Sequence, residues 1–289
     1  MTQSAADVPQ DLKGRTYLIT GANSGIGKVT AVELARRGAR TLLLCRSADK
    51  TAPVIDEIRA ATGRDAAEFV PLDLADLASV RDCAKAVLAR DLPIHGLINN
   101  AGLAGHRAVT KQGFEMTFGT NHLGHFLLTV LLLDRIKQSA PARIVNVSSV
   151  ANYAPKAIDW EALRQVTKTR TGLDEYKVSK LCNVLFTVEL ARRLDGTGVT
   201  TYALHPGVVA TNVWRRIPWP LGKIASLFML SSEEGAQTTI YCAASPEVAS
   251  QSGRYYEECK EKRPNRLADD AALTAELWKR SEEWTADYR

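Results

Sequence analysis

Short apolar runs alternate with longer segments of helical periodicity along most of the chain. The apolar runs predict strands at 15–20, 40–45, 68–72, 96–99, 143–148, 199–204 and 253–256. The longer segments predict helices at 25–37, 49–61, 76–90, 112–137, 174–194, 233–244 and 270–285. Strands that alternate with helices form βαβ units, and right-handed crossovers between parallel strands produce a doubly wound sheet. We therefore predict an α/β fold with a doubly wound parallel sheet of about seven strands, in a single domain over residues 1–289.

Two stretches interrupt this rhythm, and both follow the carboxyl end of a predicted strand. Residues 152–172 follow the fifth strand, and residues 206–230 follow the sixth. Long loops at the carboxyl ends of parallel strands are where such sheets bind ligands. The second stretch is rich in apolar side chains, and two prolines around Trp219 prevent a continuous helix. We predict that residues 206–230 form a lid over a bound small molecule. A subunit interface and a membrane-surface contact are the alternatives.

The bulk composition is that of an ordinary globular protein. The net charge of +5 is dispersed among charges of both signs, which does not require nucleic acid but would help to attract an anionic ligand. The five cysteines include no CxxC pair, so neither a zinc knuckle nor a disulfide framework is expected. Residues 1–13 are polar, unlike a secretory signal, and the longest strongly apolar stretch, 126–133, is far shorter than the roughly 18 residues of a membrane span. These features predict a cytoplasmic protein with no transmembrane segment and no nucleic-acid partner.

The first predicted strand leads directly into a glycine-rich turn. Its sequence is Thr20-Gly21-Ala22-Asn23-Ser24-Gly25-Ile26-Gly27. Glycines permit a tight turn and let the backbone approach a pyrophosphate, while the following helix presents its free N–H groups to that anion. The spacing is GxxxGxG, not the GxGxxG of the general dinucleotide fingerprint. A glycine-rich turn without a ligand is the alternative, but the position directly after the first strand favours a cofactor site.

Further motifs lie at the ends of later strands and on the helices between them. Asn99-Asn100-Ala101-Gly102 closes the fourth strand, and Asn121 lies in the helix that follows. Ser148-Ser149 ends the fifth strand, and the next helix carries Tyr176 and Lys180, four positions apart. Any one of these motifs could occur by chance, but their order and their placement behind the glycine-rich turn make them a constellation.

With these motifs the chain resembles the short-chain dehydrogenase/reductase family, whose signatures are TGxxxGIG, NNAG and YxxxK. The resemblance extends from Gly14 to about Tyr256 and is closest to the single-domain branch. It implies a Rossmann-like fold, a nicotinamide cofactor and hydride transfer between an alcohol and a carbonyl group. The implied catalytic residues are Asn121, Ser149, Tyr176 and Lys180. The implied cofactor-binding residues are Gly21, Asn23, Ser24, Gly25, Ile26, Gly27, Arg46, Asp73, Leu74, Asn100, Ala101, Gly102, Tyr176, Lys180, Pro206, Gly207, Val209 and Thr211.

Some of these roles come from the family pattern alone. Asp73, followed by Leu74, matches the adenine-pocket aspartate, although an Asp-Leu pair is otherwise an ordinary start of a helix. Pro206-Gly207 and Thr211 match the segment that receives the nicotinamide carboxamide. Asn121 matches the residue that links a proton relay to solvent through water.

The choice between two adjacent serines also depends on the family pattern. In that pattern the catalytic serine precedes a two-residue step to a small residue, which favours Ser149. The step here leads to Asn152, where glycine is usual, so Ser148 is the alternative.

The end of the second strand bears on the choice between NAD and NADP. Cys45 stands where an NAD-dependent member of the family has an aspartate for the ribose hydroxyl, and Arg46 comes next. A guanidinium can bind a phosphate through paired, charge-assisted hydrogen bonds. We therefore predict NADP(H) as the cofactor, with a solvated surface arginine as the alternative.

The residue types of the YxxxK pair suit proton transfer to a carbonyl oxygen. A free tyrosine titrates near pH 10, about three units too high for efficient general acid–base catalysis at neutral pH. Lys180 lies four positions after Tyr176, on the same helix face, where its positive charge is expected to lower the pKa of the tyrosine. Ser149 would donate a hydrogen bond to the substrate oxygen.

Longer segments, including LLLCRS, TNHLGHF and RIVNVSSVA, are similar to the retinol dehydrogenase group within the family. No N-terminal anchor like that of the microsomal members is expected from this sequence, and its 152–172 stretch differs from theirs. The prediction is therefore an NADP(H)-dependent oxidoreductase of a lipophilic aldehyde, ketone or alcohol.

Two other functions and a metal site are alternatives to this prediction. An NADPH-dependent reductase of an activated C=C bond would keep every motif, and a non-catalytic NADP(H)-binding regulator would often lose Tyr176 or Lys180. His122 and His125 share a helix face, but without a third ligand no metal site is expected. The family resemblance suggests a homodimer or homotetramer formed through helices near 115–137 and 174–194.

Overall fold

The computed structural model describes residues 11–207 and 231–289, which form an α/β domain around one eight-stranded sheet. The strands are β1 (Thr16–Thr20), β2 (Arg40–Cys45), β3 (Ala67–Pro71), β4 (Gly96–Asn99), β5 (Ala142–Val147), β6 (Val199–His205), β7 (Arg254–Glu257) and β8 (Lys260–Lys262). Their spatial order is β3-β2-β1-β4-β5-β6-β7-β8. Every neighbouring pair is parallel except β7 and β8. The direction of winding reverses between β1 and β4, which creates the crevice where doubly wound sheets bind ligands.

Helices cover both faces of this sheet. They are α1 (Gly25–Arg36), α2 (Ala48–Thr62), α3 (Leu77–Leu88), α4 (Met116–Gln138), α5 (Leu173–Arg193), α6 (Ser232–Ala244) and α7 (Ala271–Thr285). One hydrophobic core joins the sheet to α1, α2 and α6 and includes Leu34, Ile58 and Ala243. The other core joins the opposite face to α3, α4, α5 and α7. The predicted doubly wound α/β fold is confirmed.

The sheet has one more strand than predicted. β8 has the sequence Lys-Glu-Lys, and all three side chains are exposed, so no hydrophobic pattern marks it as a strand. It pairs antiparallel with β7 across a tight turn in which Glu258 and Cys259 have φ angles of 52° and 58°. Positive φ at both central residues is the geometry of a two-residue hairpin, although this turn has no glycine to signal it.

The helix predicted at 112–137 begins later and is not uniform. It starts at Met116, passes through a π-helical turn at Gly119–Leu123, and continues as an α-helix over Gly124–Gln138. The Met116–Gln138 stretch is long and apolar enough to cross a membrane by composition, but 78% of its most hydropathic window is buried within the domain. This burial is expected of the core helix of a doubly wound fold.

The C-terminal helix α7 packs on α4 and α5 through aromatic side chains. The Trp278 ring lies 5.0 Å from the Phe126 ring on α4 and 5.9 Å from the Phe186 ring on α5, between centroids. Trp284 meets Phe118 edge-on at 5.8 Å. The last helix is therefore part of the core and not an appendage.

The predicted lid falls almost entirely outside the described residues. Pro206 and Gly207 are described, whereas residues 208–230, which include Val209 and Thr211, are not.

Candidate active site

The glycine-rich turn has the geometry that a closely approaching ligand needs. Gly21 and Gly25 have φ angles of 67° and 55°, in the left-handed region that favours glycine. A Cβ at Gly27 would lie 2.4 Å from Asn100 Nδ2 and 2.6 Å from Gly21 O. The turn therefore depends on the absence of side chains at these positions and is held against the end of β4.

The N-terminus of α1 is open to a ligand. Ser24 occupies its N-cap position, is exposed, and makes no side-chain capping hydrogen bond, and the first turn contains no acidic residue. By contrast, α2, α3, α6 and α7 are each capped by a serine or aspartate side chain. The partial positive charge and unpaired N–H groups of α1 suit an anion such as a pyrophosphate. Asn23 is half-buried in the same turn, and Ile26 is buried against α6.

The residues after β2 and β3 lie beside this turn. Burial raises the pKa of the Cys45 thiol, and the nearby Thr51 hydroxyl and backbone N–H groups of the glycine-rich turn partly oppose that rise. Arg46 is exposed and makes no ion pair with any described residue. Asp73 forms a local turn, because its Oδ1 accepts the Ala75 N–H at 3.0 Å. Leu74 is buried where its carbonyl approaches Gly124, and a Cβ on that glycine would lie 2.5 Å from Leu74 O.

Asn100 and Ala101 are tied to the end of β1 by the hydroxyl of Thr20. Thr20 Oγ1 accepts the N–H groups of both residues at 2.9 Å, and Asn100 Nδ2 donates to Thr20 O at 2.8 Å. Gly102 follows with its Cα near the catalytic residues, since a Cβ there would lie 3.5 Å from both Asn121 Oδ1 and Lys180 Nζ. The strand ends on the two sides of the crevice are thus joined directly.

Asn121 lies in the π turn of α4, and its carboxamide is fully engaged. Its Oδ1 accepts the Leu103 N–H at 2.9 Å, and its Nδ2 donates to Leu103 O and to Ser179 Oγ, both at 3.0 Å. Ser179 Oγ in turn donates to Tyr176 O at 2.8 Å. The carboxamide therefore connects the loop after β4 to the helix that carries Tyr176.

The two serines after β5 have different surroundings. Ser148 is directed into the protein, where its Oγ donates to Lys180 O at 2.7 Å. The Ser149 side chain hydrogen-bonds Tyr176, and its Oγ also accepts the Ala151 N–H at 3.2 Å. Of the two, the geometry places Ser149 beside the tyrosine hydroxyl.

Tyr176 and Lys180 lie on one face of α5, as their spacing predicts. The Lys180 ammonium is 5.7 Å from the centre of the Tyr176 ring, and its Nζ donates to Val147 O at 2.9 Å. Both residues are buried. Burial lowers the pKa of Lys180 to about 8, because the charged form loses solvent.

The pKa of Tyr176 differs from the expectation. Burial raises it, and the hydrogen bond with Ser149 opposes that rise without overcoming it. The charge of Lys180 favours the phenolate, as expected from the spacing, but the desolvation of the buried phenol penalises it. The protein alone therefore holds Tyr176 in its protonated form.

The end of β6 completes the described part of the site. Pro206 and Gly207 are half-buried, and Gly207 has a φ angle of 87°. His205, just before them, is buried, and burial together with the nearby charge of Lys180 lowers its pKa to about 4.

Several residues that hold this site were not predicted to belong to it. Thr20, Ser179 and Asn183 each hydrogen-bond a site residue or the carbonyl that supports Lys180, and His125, considered above only as a metal ligand, bonds Thr20. Polar side chains on buried faces are the only signal for them. Within the described ranges no three His, Cys, Asp or Glu side chains lie close enough together to hold a metal ion.

The chain is similar to known proteins over most of its length. The family model for short chain dehydrogenase matches residues 15–160. Retinol dehydrogenase 12 of Mus musculus is 46% identical over 270 residues, which are 92% of this chain and 85% of that protein. Retinol dehydrogenase 13 of Homo sapiens is 43% identical over 290 residues, 97% of this chain and 87% of that one.

Solved structures are similar over nearly the whole chain. An uncharacterised protein from Mycobacterium paratuberculosis has a TM-score of 0.77 and 36% identity, covering 99% of this chain and 98% of its own. A protein from Beutenbergia cavernae, named as an NAD(P)-dependent gluconate 5-dehydrogenase and solved with bound NADP, has a TM-score of 0.71 and 27% identity, covering 86% and 97%. The chain belongs to the short-chain dehydrogenase/reductase family and, within it, to the retinol dehydrogenase-like group.

Proposed function

We propose that this oxidoreductase uses NADP(H) to interconvert a lipophilic aldehyde or ketone and its alcohol. The observation that carries the proposal is the hydrogen-bonded pair of Ser149 and Tyr176, buried beside Lys180 at the carboxyl ends of the strands. The open N-terminus of α1 and the side-chain-free surface of Gly27 fit a dinucleotide next to this pair.

The proposed chemistry assigns one task to each residue. The reduced nicotinamide would supply a hydride to the carbonyl carbon of the substrate. Tyr176 donates its proton to the carbonyl oxygen, where negative charge develops, and Ser149 donates a hydrogen bond to the same oxygen. Lys180, fixed by its bond to Val147 O, holds a positive charge near the phenol and favours the phenolate that forms. Because burial raises the pKa of Tyr176, the acid form that carbonyl reduction needs is the one present at neutral pH.

A preference for NADP(H) is supported by the exposed Arg46 and by the thiol of Cys45. A guanidinium without an ion-pair partner among the described residues is available to a 2′-phosphate, and a thiol offers no carboxylate to a ribose hydroxyl. The direct test is the ratio of kcat/KM for NADPH and NADH. We expect a ratio well above one, and Arg46→Gln should lower kcat/KM for NADPH about ten- to hundredfold while leaving that for NADH nearly unchanged.

The matched control is Arg64→Gln, an exposed arginine just after the C-terminal end of α2 whose side chain bonds a backbone carbonyl, that of Ala35. It should change neither value. A ratio at or below one in the parent enzyme would refute the preference, and replacing Cys45 by Asp together with Arg46→Gln should shift it towards NADH.

A lipophilic substrate is supported by the surface around the site. The described residues contain five exposed large hydrophobic side chains, which we call the apolar rim: Val109, Val150, Tyr153, Val166 and Leu173. All five lie between Val109 and Leu173, a stretch of chain that contains Ser149 and ends three residues before Tyr176. Contiguous exposed hydrophobic patches usually mark binding surfaces, and we propose that the rim is one. The relatives' name, retinol dehydrogenase, denotes a lipophilic alcohol as well.

The loops that carry the apolar rim are fastened to each other. Thr167 Oγ1 donates to His106 O at 2.8 Å, and Gly172 approaches Gly105 so closely that a Cβ there would lie 3.1 Å from its Cα. These two contacts join the loop after β4, which carries Val109, to the segment before α5, which carries Val166. The test is a series of straight-chain aldehydes with NADPH. We expect log kcat/KM to rise with chain length, since each buried CH₂ contributes about 0.8 kcal/mol, and a flat profile would contradict the proposal.

The cysteines and the packing of the last helix bear on location and assembly. All five cysteines lie in the described ranges and are unpaired, which fits a reducing compartment such as the cytoplasm. A homodimer or homotetramer through α4 and α5 would have to include α7, which lies on both helices. Sedimentation of the purified protein measures the assembly directly.

A further inference from the structure

His125 lies at the junction of the cofactor turn and the catalytic residues, and the proposed chemistry leaves it without a role. It is buried in the first turn of α4 after the π segment. Its Nδ1 lies 3.0 Å from Asn121 O, and its Nε2 lies 2.8 Å from Thr20 Oγ1. One imidazole ring therefore spans the distance between the end of β1 and the π turn that carries Asn121.

The partners determine where the proton of His125 lies. Asn121 O is a carbonyl oxygen and can only accept, so Nδ1 carries the hydrogen. Thr20 Oγ1 already accepts two backbone N–H groups, from Asn100 and Ala101, so its own hydrogen is free to be donated. The nearest acceptor is Nε2 at 2.8 Å, since Ile98 O is 3.4 Å away. The ring is thus neutral and held in one tautomer.

This assignment produces a directed chain of hydrogen bonds. The N–H groups of Asn100 and Ala101 donate to Thr20, Thr20 donates to His125, and His125 donates to Asn121 O. The carboxamide of Asn121 continues it through Ser179 to the backbone of Tyr176. Burial lowers the pKa of His125 to about 4, in keeping with a permanently neutral ring.

We propose that His125 is a positioning residue that sets the cofactor turn through Thr20 and the π turn of Asn121 through its Nδ1–H group. The role rests on the proposed hydride-transfer function, because it acts on residues of that site. Its two bonds have separate consequences. The bond to Thr20 governs the backbone at Asn100 and Ala101, and so the affinity for NADP(H). The bond to Asn121 governs the helix contact to Tyr176, and so turnover.

Two conservative variants separate the bonds. The asparagine amide is attached to Cγ, as Nδ1 is, so His125→Asn can still donate to Asn121 O but cannot reach Thr20. The glutamine amide is attached one carbon further out, as Nε2 is, so His125→Gln can still accept from Thr20. We expect His125→Asn to raise the Kd for NADPH about five- to tenfold with kcat within about twofold of the parent. His125→Gln should lower kcat and leave the Kd for NADPH near that of the parent. His125→Phe should both raise the Kd and lower kcat.

The matched control is His122→Phe. His122 is three residues earlier in the same helix and equally buried, but its Nε2 bonds Ser281 Oγ on α7 at 3.1 Å, and its neighbour Asn183 bonds Val147 O and not the cofactor turn. That variant should lower the Tm and leave the Kd for NADPH unchanged. The Kd is measured by titrating the protein with NADPH and following its fluorescence, which requires no turnover. Failure of the enzyme to reduce any carbonyl would count against the proposed function and still leave the Thr20 bond testable.

Several results would overturn the positioning role. Equal effects of His125→Asn and His125→Gln on Kd and kcat, or no effect of either, would show a merely structural histidine. A raised Kd with an unchanged kcat in His122→Phe, as predicted for His125→Asn, would also show that the histidine is merely structural. If the His125 variants do not fold, Thr20→Val removes the same bond from its other end, together with the two bonds that Thr20 accepts from Asn100 and Ala101. That variant should raise the Kd at least as much as His125→Asn, and an unchanged Kd would refute the assignment.

Discussion

The floor and the rim of this site are built from different interactions. The floor consists of the ends of β1, β4 and β5 with the facing turns of α4 and α5, and there buried polar side chains bond one another. Asn99 Nδ2, for example, donates to Asn146 Oδ1 at 2.8 Å, and Asn146 Nδ2 donates to Thr187 Oγ1 at 2.9 Å. The apolar rim instead leaves its large side chains exposed, up to 54% for Val166.

This difference separates chemistry from selectivity. A network of buried hydrogen bonds has few alternative arrangements, because a buried polar group that loses its partner is costly. Exposed hydrophobic side chains can be exchanged at little cost to folding. We therefore expect changes in the floor to affect turnover, cofactor affinity and stability, and changes in the rim to affect only the choice of substrate.

The largest expected effect is that of Tyr176→Phe in the floor. The variant removes one hydroxyl, so folding and NADPH binding should survive while kcat falls by about two to four orders of magnitude. Tyr241→Phe, which removes a hydroxyl bonded to Glu247 on the surface, is the control and should remain close to the parent. The measurement is kcat from steady-state kinetics. A kcat near that of the parent in Tyr176→Phe would show that the tyrosine is not the general acid.

Gly27→Ala should have the next largest effect. Its Cβ would collide with Asn100 Nδ2 and Gly21 O, and neither a turn backbone nor a bonded amide can easily move. Overpacking on this scale should weaken NADPH binding by about one to two orders of magnitude. Gly14→Ala, where a Cβ would meet open space, should lower the Tm through its φ of 79° and leave the affinity unchanged. An unchanged Kd in Gly27→Ala would mean that the cofactor binds elsewhere.

Acid should weaken the floor through its buried histidines. Burial lowers the pKa of His122 to about 3 and of His125 to about 4, from 6.5. The unfolded chain therefore binds protons first as the pH falls through 6.5, and stability present above that pH is lost progressively down to the folded pKa values. At about pH 5 each histidine should lower the free energy of unfolding by about 2 kcal/mol, measured by urea unfolding and compared with a sample at neutral pH. His122→Phe should remove the part of this pH-dependent loss of stability that is due to His122. An undiminished pH dependence in that variant would contradict the assignment.

The smallest expected effect belongs to the rim. Val166→Ser should lower kcat/KM for a long-chain aldehyde about three- to fivefold, because it removes partly buried methyl contacts. A short aldehyde, which does not reach the rim, is the internal control and should react as before. Equal losses for both substrates would mean that the rim residue acts on the floor, and the distinction between the two regions would fail.

Much of the floor could be predicted from the sequence, since its glycine spacing, its YxxxK pair and its strand-end motifs each have a local signature. The residues that connect these motifs could not be. Thr20 and His125 meet across a sequence separation of 105 residues, and no local pattern encodes that contact. The π turn at Gly119–Leu123 was equally hidden, because one inserted residue in a helical ladder barely alters the hydrophobic periodicity. The raised pKa of Tyr176 depends on burial, which the spacing of Tyr176 and Lys180 does not reveal.

The position of α7 has a consequence for how the protein is made. The ring cluster of Phe118, Phe126 and Phe186 is completed by Trp278 and Trp284, which are synthesised well after both catalytic helices. Domains fold as their segments leave the ribosome, N-terminal parts first, and transiently exposed hydrophobic surface promotes aggregation. The nascent sheet and its catalytic helices must therefore wait, with an uncovered aromatic face, until α7 has left the ribosome. This interval is when the chain most needs a chaperone, and a premature stop before residue 271 would make the exposure permanent.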